Sequence, residues 1–523
     1  MPANAIMVQG TASNVGKSLI CTALCRLFSR EGYRVAPFKA QNMALNSFST
    51  PDGGEIGRSQ AVQAEAAGLA PSVEMNPILL KPDARAGSQV ILLGQPVGLM
   101  SPERYDRYKD DAFAIVEQSY RRLAAQHDLI VIEGAGSPVE VNLKDRDLAN
   151  MRVAAMADAP VLLVGDIDRG GLFASIIGTL ALLDHDERRR VRGFIVNKFR
   201  GDIEHLRPGL RFLEVETDRP VLGVIPALDD LPFPAEDSLA RSATRIGDAP
   251  RADVRIGVVA LPHLSNDTDF DLLAREPGVS LVYVDRPDEI SGLDLLILPG
   301  SKNTIEDLDH LRRLGFDLAI RQHRRLGKEV IGICGGYQML GHSIRDPWGV
   351  EGKVREAPGL GLLDVSTVLT THKRVAQVRA APCDHLGWEL DRPLEGYEIH
   401  LGVTALGDEA LPLLRFLGDD GSGGERLDGA MSADHLVWGT YLHGLFDHPG
   451  LRRRVLNHLR ERKRLGPVAA PIGESGQSFR STLYDRLEEV VRGSLDLSAL
   501  FAIAGVERRC GKGGERSAHA RVS

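Results

Sequence analysis

No apolar run in the sequence reaches the roughly 20 residues that a membrane-spanning helix needs, and Met1–Gly10 carry neither a basic region nor the apolar core of an export signal. A cytosolic protein is expected. Basic charge is also in short supply: 63 Lys and Arg against 71 Asp and Glu leave a formal net charge of -8. A general nucleic-acid binder needs a cationic surplus to displace phosphate counterions, so no nucleic-acid partner is expected and any anionic ligand must be held by local groups. The five cysteines (Cys21, Cys25, Cys334, Cys383 and Cys510) form no CxxC pair, which argues against a disulfide frame or a zinc site. Cys21 and Cys25 read as buried thiols that pack as small hydrophobes. There is no internal repeat.

What is present is a long chain of ordinary globular composition. With 523 residues, 43% of them hydrophobic and 26% charged, it exceeds what one core fills, and two large modules are expected. Short Val-, Ile- and Leu-rich runs alternate with helical stretches at Ala5–Gln9, Arg34–Phe38, Leu129–Ile132, Val161–Val164, Gly193–Val196 and Val221–Ile225. Strands that alternate with helices imply a parallel sheet covered on both faces. A second series, Arg255–Leu261, Leu281–Asp285, Leu293–Leu298 and Glu329–Ile333, reads the same way. The expected organisation is α/β with two doubly wound parallel-sheet domains: 1–231, a polar linker 232–253, 254–450, a helical segment 451–505 and a disordered tail 506–523.

The first strand runs into Gly10-Thr11-Ala12-Ser13-Asn14-Val15-Gly16-Lys17-Ser18 and then a helix over Lys17–Arg30, the setting of a phosphate-binding loop. Gly10, Thr11, Asn14 and Gly16 would turn backbone N–H groups onto ATP phosphates. Lys17 would reach the outer phosphates, and Ser18 would ligate Mg²⁺. Five residues separate Gly10 from Gly16, one more than the strict pattern. Glu133, at the end of the strand Asp128–Glu133, is the candidate second oxygen ligand for Mg²⁺. Lys39, at the end of another strand, either neutralises a substrate carboxylate or transferred phosphate or is a surface lysine. Asn42, in the polar run 41–47, either lines a substrate pocket or belongs to a simple loop.

A second chemistry lies near residue 334. Gly332-Ile333-Cys334-Gly335-Gly336 places a thiol on a sharp turn between a buried strand and a helix, the geometry of a nucleophile elbow, and the helix N-terminus favours thiolate. His443, following another apolar strand, is the candidate base. Amide groups at Gly300 and Ser301, with Gly335, are candidates for the oxyanion hole.

These motifs carry a resemblance. The stretch Ile256–His443, with LILPGS, GICGGYQML and YLHGLF, resembles class I glutamine amidotransferases, which release ammonia from glutamine through a cysteinyl thioester. The first part resembles dethiobiotin synthetase-like ATPases, whose loop has the same longer spacing. Joined in this order, with FKAQNMALNS and Gly396–Gly402, they resemble the cobyric acid synthase family. The resemblance implies Cys334 as nucleophile, His443 as base, and Lys17, Ser18 and Glu133 at the ATP and Mg²⁺ site. It also implies glutamine and a corrinoid, adenosylcobyrinic acid a,c-diamide, as substrates, with amidation of the b, d, e and g carboxylates. The alternatives are a cobyrinic acid a,c-diamide synthase, or a partition-type ATPase with a non-catalytic binding module. Many class I glutaminases place Glu two residues after the His; Leu445 stands there, and the third triad member is left open between Asp447 and a Cys–His pair alone.

Overall fold

The computed structural model describes residues 3–83, 87–229, 231, 252–418, 426–468 and 473–509. All but residues 252–253 of the expected linker, and all of the expected tail beyond residue 509, lie outside them.

The first module is built on a six-stranded parallel sheet in the order Val221–Pro226, Val191–Phe199, Val161–Asp166, Asn4–Gly10, Leu129–Glu133, Val35–Phe38. Apart from the exposed Asn4 the central strands are buried throughout, so both faces must be covered by helices, as continuous apolar runs dictate. Val8 pairs with Glu133 and Gly10 with Val164, which sets the phosphate loop and Glu133 at the same C-terminal sheet edge. The helix Lys17–Arg30 covers one face, as its apolar spacing predicts.

The second module begins as expected, with parallel strands in the order Val279–Val284, Val254–Val259, Leu295–Leu298, Glu329–Ile333, Val437–Thr440. Its sheet then continues through antiparallel strands, among them Leu427–Ser432, Ala410–Leu417 and Val365–Pro382. The doubly wound reading did not contain this half. Val365–Pro382 begins with alternating buried and half-buried residues, the mark of a strand with one wet face, which lacks the continuous apolar run used to find the others.

The helical C-terminal segment is divided between the modules. Pro449–Arg462 buries Leu451, Val455, Leu456 and Leu459 in the second core. Gly476–Ser494 and Leu497–Ala504 return to the first module, where Leu487, Val491 and Phe501 join the core under the first helix. Residues 506–509, read from sequence as the start of a disordered tail, are held in place. Arg509 donates to the Gly32 carbonyl at 2.9 Å, and its guanidinium lies 3.8 Å from the Tyr33 ring centre. Charge also joins the modules. Glu55, fully buried, pairs with Lys81 of its own module and with Lys373 of the second at 2.6 Å. Burial opposes the charged carboxylate, but the two ammonium groups hold it well below the usual carboxylate range.

Candidate active sites

The phosphate loop takes its shape from Gly16. This residue caps the first helix at φ 103°, and an added Cβ would sit 2.1 Å from Asn197 Nδ2, so a side chain is excluded both by conformation and by contact. Asn197 Nδ2 donates to the Val15 carbonyl at 2.8 Å, and Lys198 Nζ donates to the Asn14 carbonyl at 2.7 Å, fixing the loop from the strand Val191–Phe199, two places away in the sheet. Lys17 Nζ donates to the carbonyls of Ala12 and Gly136, each at 3.1 Å. The Thr11 amide is committed to Val164 and so serves the sheet.

Glu133 is the hub of this site. One carboxylate oxygen accepts from Ser18 Oγ and from Lys39 Nζ, each at 2.8 Å; the other accepts from Gln63 and, at 3.4 Å, from Gln60. Lys39 is 2% exposed, which removes the surface-lysine reading. Asn42 is one step further out, donating to Gln60 Oε1 at 2.8 Å and Ser59 Oγ at 3.2 Å. A hydroxyl and a carboxylate oxygen side by side below a phosphate loop are the hard donors that Mg²⁺ takes, together with phosphate oxygens and water. Beside them opens a cavity of about 320 Å³, lined among others by Ser13, Gln41, Met43, Lys109, Lys144 and Arg146.

At the second site Cys334 adopts φ 52°, ψ −109°, a strained conformation for a residue with a side chain, directly before the helix Gly335–Leu340. A Cβ on Gly335 would stand 2.9 Å from the Ser301 amide nitrogen, so glycine lets these two backbone groups approach. The Gly335 N–H belongs to the first helical turn, where no intrahelical acceptor exists. The Ser301 hydroxyl turns away to Asp307 at 2.6 Å, and Gly300 pairs with Ser265, so at Ser301 the backbone is what faces the elbow.

His443 is fully buried. Its Nδ1 lies 2.7 Å from Asp269 Oδ2, while Asp269 Oδ1 accepts from the Gly444 amide at 2.9 Å. Burial disfavours the imidazolium, but the Asp269 carboxylate outweighs it, with a smaller push from Cys334; the proton affinity rises from 6.5 to about 10. The Tyr397 ring stacks on the imidazole with centroids 5.2 Å apart. Asp447 instead pairs with Arg480 at 2.6 Å, and Leu445 is buried in the core. The acid beside the histidine is therefore Asp269, which the sequence reading did not name. Its only signal was the acidic cluster Asn266-Asp267-Thr268-Asp269 after the first strand of the module. Gln60 and Gln63 were also missed; their signal was two buried amides three apart on one helix.

Residues 6–239 match the CobQ/CobB/MinD/ParA nucleotide binding domain family, and residues 255–450 match the CobB/CobQ-like glutamine amidotransferase domain family. A cobyric acid synthase of Pelotomaculum thermopropionicum is 52% identical over 513 residues, spanning 96% of this chain and 97% of that one. One from Sorangium cellulosum is 52% identical over 525 residues, spanning 97% and 100%. One from Syntrophobacter fumaroxidans is 48% identical over 509 residues, spanning 96% and 99%. Among the described residues no helix is long and apolar enough to cross a membrane.

Proposed function

The chain belongs to the cobyric acid synthase family, and from that premise we infer that it is the glutamine-dependent ligase that forms carboxamides on a corrinoid in cobalamin biosynthesis. The observation that supports this reading best is two assembled sites in one chain. One is Cys334–His443–Asp269, and the other is Glu133 with Lys39 and Ser18 behind the phosphate loop. A partition-type ATPase has no use for the first.

Cys334 attacks the glutamine amide carbon, and the Ser301 and Gly335 amides take up the oxyanion. His443, oriented by Asp269, delivers a proton to the departing ammonia as the C–N bond breaks. Water, deprotonated by His443, then cleaves the thioester and releases glutamate. At the first site a corrinoid carboxylate attacks the terminal phosphate of ATP, giving an acyl phosphate and ADP. Ammonia displaces phosphate from it, forming the amide. Lys17 and Lys39 spread the charge of the transferred group. Bound by Ser18 and Glu133, Mg²⁺ would supply charge neutralisation at the phosphates. The similarity to cobyric acid synthases over nearly the whole chain supports adenosylcobyrinic acid a,c-diamide, amidated at its b, d, e and g carboxylates, as the acceptor.

The test is amide formation by the wild type and by Cys334→Ala, each with glutamine and with ammonium chloride. The variant is expected to fail with glutamine and to work with ammonia. Glutamine-dependent synthesis that survives in the variant would sink the assignment, and product mapping separates this enzyme from an a,c-diamide synthase.

A further inference from the structure

The helix Arg58–Ala67 opens with a buried cation. Arg58 is 8% exposed, yet among the described residues its guanidinium forms no ion pair and its Nε has no hydrogen-bond partner. It lies over the Phe48 ring, 4.8 Å from the ring centre. A guanidinium keeps its charge in a protein, and donors taken out of water without acceptors are strongly unfavourable. Burial works against the charge of Arg58, and Tyr397 and Glu65 offset it without bonding to it. Glu65 Oε2 accepts instead from Arg480 Nε and from the Tyr484 hydroxyl, each at 2.9 Å, and Asp447 accepts from the same Arg480 at 2.6 Å. One arginine thus serves two carboxylates, and the other has none.

Arg58 lines a cavity of about 330 Å³. Phe48, Leu69 and Pro71 give it an apolar side, Tyr397 stands on its wall, and Arg480 of the helix Gly476–Ser494 borders it. Asp269 is on this wall and Cys334 is not, so the cavity lies apart from the thiol. Its volume has room for an acid of a few carbons and not for a macrocycle. The planar guanidinium fork matches a carboxylate through two parallel N–H···O bonds. Glu65, Glu395 and Asp447 share the walls, and their charges disfavour a ligand with more than one negative charge, phosphate included.

We propose that the Arg58 cavity is a binding site for a small monocarboxylate, separate from both reaction centres: the guanidinium takes the carboxylate, and Phe48, Leu69 and Pro71 cover its short carbon body. The ligand supplies the acceptors that Arg58 lacks, and its single charge compensates the cation without crowding the acids on the far wall. A plain short-chain acid and an α-amino acid share this chemistry. An amino acid would add an ammonium group, for which the exposed Glu395 on the same wall is the available acid. Neither source depends on the ligase reading above.

The full-length wild type, Arg58→Met and Ala70→Trp are titrated with butyrate, 2-aminobutyrate and inorganic phosphate by ligand-observed NMR, with thermal unfolding followed alongside. Arg58→Met keeps an apolar stem and drops the fork. Ala70→Trp fills the cavity from an exposed position on its wall and leaves Arg58 in place, so it guards against a variant that fails to fold. Butyrate is expected to bind the wild type and to raise its unfolding temperature. Loss of a charge-assisted pair predicts affinity about ten-fold weaker or worse in Arg58→Met, and Ala70→Trp should lose binding by exclusion. Without ligand, Arg58→Met should unfold no lower than the wild type, because replacing an uncompensated buried charge with an apolar side chain is neutral or stabilising. Tighter binding of 2-aminobutyrate than of butyrate assigns the site to an amino acid, and the reverse assigns it to a plain acid. Phosphate binding without butyrate binding overturns the carboxylate assignment. A wild type that binds neither acid, or equal binding by all three proteins, overturns the site.

Discussion

Asp269 Oδ2 and His443 Nδ1 are 2.7 Å apart although 174 residues separate them in the chain. In the proposed glutaminase reaction the carboxylate holds the imidazole through Nδ1 and stabilises its cation, which is why the proton affinity of His443 is raised.

Asp269→Asn keeps the shape but removes the charge and can favour the wrong tautomer. Glutamine-dependent turnover is expected to fall by about 10³- to 10⁴-fold, with ammonia-dependent synthesis retained. Steady-state assays with both nitrogen sources decide it; a loss under ten-fold would leave Asp269 outside the machinery.

Glu133→Gln strikes the other site. Lys39 would lose its carboxylate while buried, a change that costs about 3–5 kcal/mol. Synthesis should be lost with either nitrogen source while glutamine hydrolysis persists, and thermal unfolding should show the destabilisation. Synthesis from ammonia at the wild-type rate would count against Glu133 as the hub.

Gly16→Ala places a Cβ against Asn197 at a left-handed position, for which the conformational cost alone is about 1–2 kcal/mol. Titration with a fluorescent ATP analogue should show affinity reduced ten-fold or more, and unchanged affinity would mean that the loop does not cradle the phosphates.

Glu55→Gln leaves Lys81 and Lys373 facing one another at the junction and is expected to destabilise by about 3–5 kcal/mol. The same contact gives an acid limit. Because the folded carboxyl is depressed, its contribution is present above the unfolded value of 4.5 and is lost as pH falls below it. Unfolding monitored from pH 6 to pH 3 should show the wild type losing the first part of this increment, the rest going only as pH falls on through the depressed folded value, and Glu55→Gln showing no such loss.

The chemistry confined to one contiguous segment was legible in the sequence alone. The strand, loop and helix at Asn4–Arg30, and the strand, turn and helix around Cys334, each carry a candidate site on one short contiguous segment, marked by glycine placement and apolar period. Ser18, Lys39 and Glu133 could be named because each closes or follows a buried parallel strand, and such ends gather at one sheet edge. Only the tertiary structure decided what crosses that edge. Asp269 came from a turn with no period to mark it, and the cavity at Arg58 takes its walls from both modules. The return of Gly476–Ser494 to the first core, and the antiparallel half of the second sheet, were likewise set by burial between distant segments. Local sequence fixes conformation and candidate chemistry, whereas partners across long separations depend on how loops close and which surfaces exclude water.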